Sequence, residues 1–583
     1  MDVNLSNKTT NILAALLLVF VFVIGVSSIK NDSLTMDEVA HLPSGYSYLT
    51  QKDMRLNPEH PPLIKDLAAL PLLFIKDISF PSEIQAWQTD VNGQWDFGRY
   101  FLYQAGNPAE QMIFWGRFPM ILLLILLGFY VFKWTRERFG NCASLLALFF
   151  FSFSPTLLAH GRLVTTDVGA AAGVFIATYY FIRALKNPSR KNIIIAGVVF
   201  GIAQLLKFSV ILLVPFFGLL GLVWWLNKSG KFWQTVKIGF LVFLIGFVLI
   251  WPVYQYHVWN YPAEKQLQDS QVYLKDTVEP LKSVILWAAD KPLLRAYAQY
   301  FTGLSMVFHR VAGGNTTYFL GEVSNLGWRS YFPIVYAIKV PLAFHLLTLI
   351  ALFYAAWSIK RPLWKNAFSR IGQWTKNHFT EFAMLTFIII YWAVSIKGNL
   401  NIGVRHLLPI LPLTFVLVSG MTAKWLEAPH LKLKCSVLLL LILWQAVSVF
   451  SVYPHFIAYF NESVGGTDQG YKYAVDSNLD WGQDLKRLKN WTEENKVEKI
   501  YIDYFGGSSL EYYFKDKFLP WWGTRDPEEL PKDSYLAVSA TFLQGGRGKK
   551  IPGLEGPEGY YLWLDQYKPV AKIGYSIFIY KVD

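Results

Sequence analysis

Asp37 and Glu38 stand side by side in TMDEVAHLPSGYSYLTQKDMRLNPEHPPLIKDL, which begins at Thr35, and His41, Glu59 and His60 follow within it. Carboxylates accept protons from hydroxyls and imidazoles relay them, so these residue types offer general-base chemistry. A second acid, Asp167, sits in LAHGRLVTTDVGAAAG behind His160 and Arg162. Lys207 interrupts AQLLKFSVILL, and Arg405 and His406 stand in NIGVRHLLPILP. Arginine's planar fork grips two phosphate oxygens, whereas lysine supplies a point charge. Helix capping explains an Asp-Glu pair taken alone, and snorkelling explains a lone lysine in an apolar run. The recurrence of acids and cations at the edges of apolar runs favours a site, because charge at that depth is costly unless paired or used.

Those edges are defined by the elements around them. Of 583 residues, 53% are hydrophobic and only 16% charged. Apolar runs near 12–29, 113–132, 142–159, 168–185, 192–206, 209–226, 238–256, 333–357, 381–396, 407–425 and 433–452 predict about eleven membrane helices. The first lacks the flanks of a cleaved signal and reads as an uncleaved span. The net charge of +13 is concentrated between spans: Lys133, Arg136 and Arg138; Arg183, Lys186, Arg190 and Lys191; Lys228, Lys231 and Lys237; Lys360, Arg361, Lys365, Arg370 and Lys376; Lys424, Lys432 and Lys434. Cytoplasmic loops carry such an excess. With the N-terminus inside, all five clusters fall inside, and loops 30–112 and 257–332, the short turns near 160–167, 207 and 397–406, and the tail fall outside. Every acid and cation named above then lies on the outer side. No basic face with exposed aromatics suggests nucleic acid, and Cys142 and Cys435 offer neither a disulfide framework nor a metal spacing.

Within loop 30–112, Met36–Leu49 and Pro62–Ile75 are too short to span and predict helices at the interface. The tail 453–583 loses its apolar runs. NLDWGQDLKRLKNWTEEN predicts a helix with Trp481, Leu485 and Leu488 on one face, and KIYIDYF, SYLAVSA, PVAKIGY and SIFIYKV predict strands. Asp476, Asp480, Trp481 and Asp484 could contact sugar, but capping by Ser477, Asn478 or Asp480 accounts for the same letters. Trp328 and Tyr331 are candidate sugar-stacking aromatics, and QGGRGKK lacks P-loop spacing and reads as a mobile turn. The expected organisation is a membrane domain over 1–452 and a small extracytoplasmic α/β domain over 453–583.

Acids and cations at one membrane face suit a lipid-linked phosphate substrate, with cations on the phosphate and an acid on the attacking hydroxyl. The acidic pair after the first helix, HPPLIKDL, RLVTTD and VRHLLPILP together resemble the phospholipid-carrier-dependent glycosyltransferases of the protein O-mannosyltransferase and aminoarabinose-transferase superfamily. GGNTTYFLGEVSNLGWRSYFPIVYAIKVPLAF and DSNLDWGQDLKRLKNW resemble a bacterial branch of it. The resemblance covers most of the chain and implies an all-α polytopic membrane protein of the GT-C type with the small C-terminal α/β domain. It implies Asp37, with Glu38 beside it, as the base toward the acceptor, and Asp167 as the second acid. It places Arg405 and His60 near the donor phosphate. Topology adds Lys207 and Arg162 to that group, with His41, Glu59 and His406 as secondary candidates. The implied donor is a sugar, hexose or pentose, on a polyprenyl monophosphate. The implied reaction is one inverting displacement that passes the sugar to a hydroxyl of a protein, lipid or glycan. The expected location is the bacterial inner membrane, with the active site and C-terminus extracytoplasmic. No cofactor is required. Asp37 and His41, four residues apart, leave room for a divalent metal, although Arg and Lys alone can stabilise a monophosphate leaving group. A transporter would instead place acids mid-helix in repeated halves, and a non-catalytic assembly protein would leave the shared depth of the charges unexplained.

Overall fold

The computed structural model describes residues 5–359 and 367–582; Lys360, Arg361 and Lys365 lie outside the described residues. The chain is mainly helical. Among the described residues, eight helices are long and apolar enough to cross a membrane, or nine if Tyr331–Lys339 and Leu342–Trp357, bent by 109°, form one broken span. The chain is therefore an integral, multi-pass membrane protein. The eleven expected spans compress for two reasons. The runs 113–132 and most of 142–159 fall within Ala109–Ser152, although Gly140, at φ 84°, leaves the helical conformation and separates them. The helix Arg190–Gln204 has only 15 residues.

The helices share one orientation rule. Asp167–Lys186 begins at the acid and ends in the second basic cluster, and Phe379–Lys397 runs the other way, from beside Lys376 toward the loop that carries Arg405. The acid-and-cation end and the lysine-rich end are thus opposite ends of one bundle.

The two short helices of loop 30–112 form, as Met36–Gln51 and Leu63–Ala69, with a tight turn at Leu70–Phe74. Their inner faces are packed against the protein, while Leu70, Leu73 and Phe74 are exposed. Val39, Leu42, Tyr48, Ile64 and Ala68 are fully buried, and the two helices pack so closely that a Cβ on Gly45 would stand 2.0 Å from the Lys65 carbonyl oxygen.

The tail forms a five-stranded sheet in the order β4-β3-β5-β8-β7 (Phe518–Pro520, Ile500–Asp503, Ser534–Ser539, Ile577–Val582, Ala571–Ile573). The β3 pairs with β4 and β5 are parallel, and the pairs of β8 are antiparallel. The predicted helix is Leu485–Glu494. QGGRGKK is structured: it ends the helix Ala540–Arg547 and continues as β6 (Lys549–Lys550), which pairs with β2 (Glu322–Ser324) of the loop 257–332. β2 also pairs with β1 (Thr317–Phe319). Residues on both sides of position 453, from Val452 to Trp481, are buried in the same core as the membrane helices.

Candidate active site

Asp37 opens a helix that is fixed at its first turn. Glu38 reaches back to accept from the Thr35 backbone N–H at 2.9 Å and from its hydroxyl at 3.0 Å, the return half of a capping box. Glu38 also accepts from Arg117 at 2.6 and 2.8 Å and from the Val164 N–H at 2.9 Å. Arg117 adds bonds to the carbonyls of Asp32 and Ser33. Glu38 therefore clamps the first outer turn to the helix Ala109–Ser152 and to the 160–167 turn, with no part of it exposed. From the tail, Trp481 O accepts from Met36 N–H at 3.0 Å and Gln483 O from Ser33 N–H at 2.8 Å.

These clamps aim Asp37 into a cavity of about 320 Å³. His41, Glu59, His60, Lys207, Arg310, Arg405, His406 and Asp476 share its wall. Arg405 Nη1 lies 2.7 Å from Asp37 Oδ2 and 3.3 Å from Asp167 Oδ2, and Lys207 Nζ lies 2.5 Å from Asp167 Oδ1. The guanidinium rests 4.2 Å from the ring centre of Trp481, and its Nε has no hydrogen-bond partner. Two carboxylates and two cations thus alternate in one chain of contacts. Asp37 keeps 23% of its side chain exposed and Asp167 only 1%, so Asp37 is the acid of this quartet that meets the open space. Val307, Val311, Leu212, Phe332 and Leu400 give the cavity an apolar side.

The local electrostatics follow from burial and pairing. Burial opposes ionisation of Asp37, but the groups around it, Arg405 foremost, together outweigh burial and hold the carboxyl below the usual carboxylate range. Burial lowers His41 despite the pull of Asp37, and His60 is pushed well below its ordinary value by burial and then by His41. Both rings are neutral at pH 7, so His60 brings the cavity a hydrogen-bonding ring rather than a positive charge. Asp476 is pushed up to about 6 by burial, with Arg405 acting against the rise. Behind this wall Lys65 donates to the Tyr48 hydroxyl, to the carbonyls of Asn57 and His60, and to Asn57 Oδ1, at 2.7–2.9 Å. Burial pushes its ammonium down to about 7, with Glu59 and Asp66 opposing.

Several expected residues stand elsewhere. Arg162 lies 2.7 Å from Asp32 in a buried pair, and His160 packs on Trp481; neither lines the cavity. Glu59 lines it but is held by Gln94 at 2.7 Å and Asn92 at 3.2 Å. Tyr331 is buried and accepts from Asn478 Nδ2, so it offers no stacking face. Asp480 accepts from Thr541 N–H, and Asp484 pairs with Arg487, which also binds Asp32. Among the described residues, Asp476 is the acid of the tail that reaches the cavity. Arg310 was not singled out from the sequence. The sequence carries no signal for it, since Lys265, Lys275, Lys282, Lys291, Arg295 and Arg329 share its loop. His41 Nδ1 donates to the Val164 carbonyl, 2.8 Å away. Among the described residues, no three His, Cys, Asp or Glu side chains converge as a metal-holding group.

Residues 109–256 match the model of the dolichyl-phosphate-mannose-protein mannosyltransferase family, which falls within the superfamily that the motifs resemble. A search of curated proteins finds no match. Among solved structures, the chain is similar to the archaeal oligosaccharyltransferase AglB from Archaeoglobus fulgidus in complex with an inhibitory peptide and a dolichol-phosphate. That likeness has 13% identity and a TM-score of 0.48, covering 95% of this chain and 72% of that one. It is also similar to ArnT from Cupriavidus metallidurans bound to undecaprenyl phosphate, at 11% identity and TM-score 0.31, over 97% of each chain. The S. cerevisiae Pmt1-Pmt2 complex bound to the sugar donor is similar at 18% identity and TM-score 0.33, over 44% of this chain and 34% of that one.

Proposed function

We propose that this protein is a membrane glycosyltransferase that moves a sugar from a polyprenyl monophosphate to an acceptor hydroxyl, with Asp37 as the general base. The observation that carries the reading is the partly exposed Asp37 carboxylate paired with Arg405, with Lys207 on the same wall, in a cavity that also has an apolar side. A lipid phosphate needs cations at the membrane surface and a greasy path for its chain, and a displacement at the sugar needs a base just beyond the phosphate. The family matched by residues 109–256 is named for a lipid-phosphate mannose donor, which supports the same chemistry.

In this reading the acceptor hydroxyl gives its proton to Asp37 as its oxygen bonds to the anomeric carbon. The bond from that carbon to the phosphate oxygen breaks, and the electron pair leaves with the carrier phosphate. One in-line attack inverts the anomeric centre. Arg405 keeps Asp37 ionised, and Lys207 and Arg310 add positive charge on the same wall for the phosphate. The unit 1–452 carries the reaction, and 453–583 completes the wall through Asp476, Trp481 and Phe505, on the extracytoplasmic face of a bacterial inner membrane.

Purified protein incubated with radiolabelled polyprenyl-phosphate sugars and membrane extract is expected to move label into one acceptor fraction. Release of label by alkaline β-elimination then separates a Ser or Thr glycoside from a glycoside of a lipid or glycan. Label that stays on the carrier with every sugar tried, hexose or pentose, would remove the transferase reading.

A further inference from the structure

We propose that a second cavity, at the opposite end of the bundle, binds the phosphate of an anionic membrane lipid. It holds about 470 Å³ and is lined by Arg138, Lys186, Lys228 and Lys376 together with Trp224 and Phe379. Helix length fixes its place. The helix Asp167–Lys186 begins at the ion pairs of the first cavity and ends with Lys186 in this one. At 1.5 Å per residue the two lie ~28 Å apart, which is about the thickness of a bilayer's hydrocarbon core. Phe379–Lys397 spans the same distance in reverse, with Phe379 here and Ser395 on the wall of the first cavity. The second cavity therefore lies at the other membrane surface.

The four cations come from four separate places in the chain: ahead of the break at Gly140, the last residue of a membrane helix, the turn after Leu213–Leu226, and the helix Ala367–Asn377. Arg138 is occupied, since it lies 2.7 Å from Glu381, which also faces His378 at 3.4 Å. Lys186 donates to the Thr380 hydroxyl at 2.9 Å. Among the described residues, Lys228 and Lys376 make no ion pair with a carboxylate, and Lys186 feels Glu381 without pairing directly to it. An excess of lysine along one membrane face is ordinary. Convergence on one cavity is different, because like charges at close range repel unless an anion sits between them. The wall also selects the source of that anion. Trp224 is half-buried on this wall and packs edge to face on the buried Phe379 at 4.8 Å, an aromatic side chain of the kind found at headgroup level. A free phosphate would use the cations and ignore this wall, whereas a lipid phosphate uses both.

The test uses the full-length protein in neutral detergent. Phosphatidic acid, phosphatidylcholine and inorganic phosphate are titrated while the thermal unfolding midpoint is followed. Three proteins are compared: wild type, K186Q/K228Q/K376Q, and a control with the same charge change on the same end, R190Q/K191Q/K237Q. Phosphatidic acid is expected to raise the midpoint of wild type and control, and to need at least ~10-fold higher concentration in the first variant. If that variant does not fold, Lys376→Gln alone, an exposed change, is expected to weaken the response several-fold. Equal responses in all three proteins would show mere attraction to a basic surface and overturn the site. A full response to inorganic phosphate, with no added effect of the lipid, would overturn the lipid assignment.

Discussion

Asp37 keeps 23% of its side chain open, while Glu38, one residue on, keeps none. Adjacent letters of like chemistry thus separate into a group that can meet a substrate and a group that holds the turn. Asp37→Asn preserves size and removes the proton acceptor, so turnover is expected to fall by roughly 10²–10⁴-fold, with a smaller drop in the thermal midpoint than loss of Glu38 causes, because Arg405 keeps Asp167 at 3.3 Å. Glu38→Gln is expected to behave in the opposite way. It leaves the Arg117 charge buried and short of a partner, a change worth ~3–5 kcal/mol, so the midpoint drops while the folded fraction keeps most of its turnover. Transfer assays beside melting curves decide between them, and a well-folded, inactive Glu38→Gln enzyme would move the base assignment. Arg405 carries a pH signature. A base works only when ionised, so activity is lost as pH falls through the pKa of Asp37. Arg405 lowers that pKa, and Arg405→Gln is expected to raise it and move the acid limb of the kcat/KM profile to higher pH. An unmoved limb would separate Arg405 from Asp37.

At the scale of elements, the cavity depends on three short connections being held still. The 30–36 turn is clamped by Glu38 and Arg117 and by the backbone of Trp481 and Gln483. The 57–65 loop is gathered around the Lys65 ammonium. The entry to the Arg405 segment is tied by Asn478, whose Oδ1 accepts from Val404 N–H at 2.9 Å, and by Ser477, which donates to the Ile402 carbonyl. Between these last two ties, Gly403 has φ 142°, and a Cβ there would stand 2.2 Å from Ser477 Oγ. Gly403→Ala is therefore strained twice over. It is expected to displace Arg405 and raise the donor KM more than it lowers the unfolding midpoint, as steady-state kinetics and a melt would show. A normal KM would mean that the segment tolerates the shift.

Across the whole molecule, the tail is part of the cavity wall and of the buried charge system beneath it. Asp32 joins Arg162 of the membrane bundle to Arg487 of the tail, at 2.7 and 2.6 Å. Asp480 lies in the same junction, where burial pushes its carboxyl up to about 8 from an ordinary 3.8. Over that window the folded protein holds a proton that the unfolded chain has released. Stability therefore falls as pH rises from about 4 to about 8, and the loss is complete above the folded pKa. Asp480→Asn removes this dependence. Its unfolding midpoint is expected to decline less than wild type's between pH 5 and 8, and to exceed it at pH 8. Parallel curves would show that Asp480 is ionised throughout.

The sequence by itself determined what depends on local order: the apolar runs, the basic clusters at one end of the bundle, most of the tail's strands and the residue types gathered at the other end. A run of apolar residues must be helical in lipid whatever its neighbours are, so these features needed no tertiary knowledge. It also carried Asp37, Lys207 and Arg405, because each interrupts or borders such a run. Only the tertiary structure decided which charge faces the cavity and which is spent on another charge. Glu38 and Arg162 look as reactive in the sequence as Asp37 and Lys207, yet their partners, Arg117 and Asp32, lie 79 and 130 positions away. Arg310 and Asp476 join the site from a loop and a tail that local pattern assigns to other duties. Ion pairing and burial depend on distances in space, and the spacing of letters along one chain does not contain them.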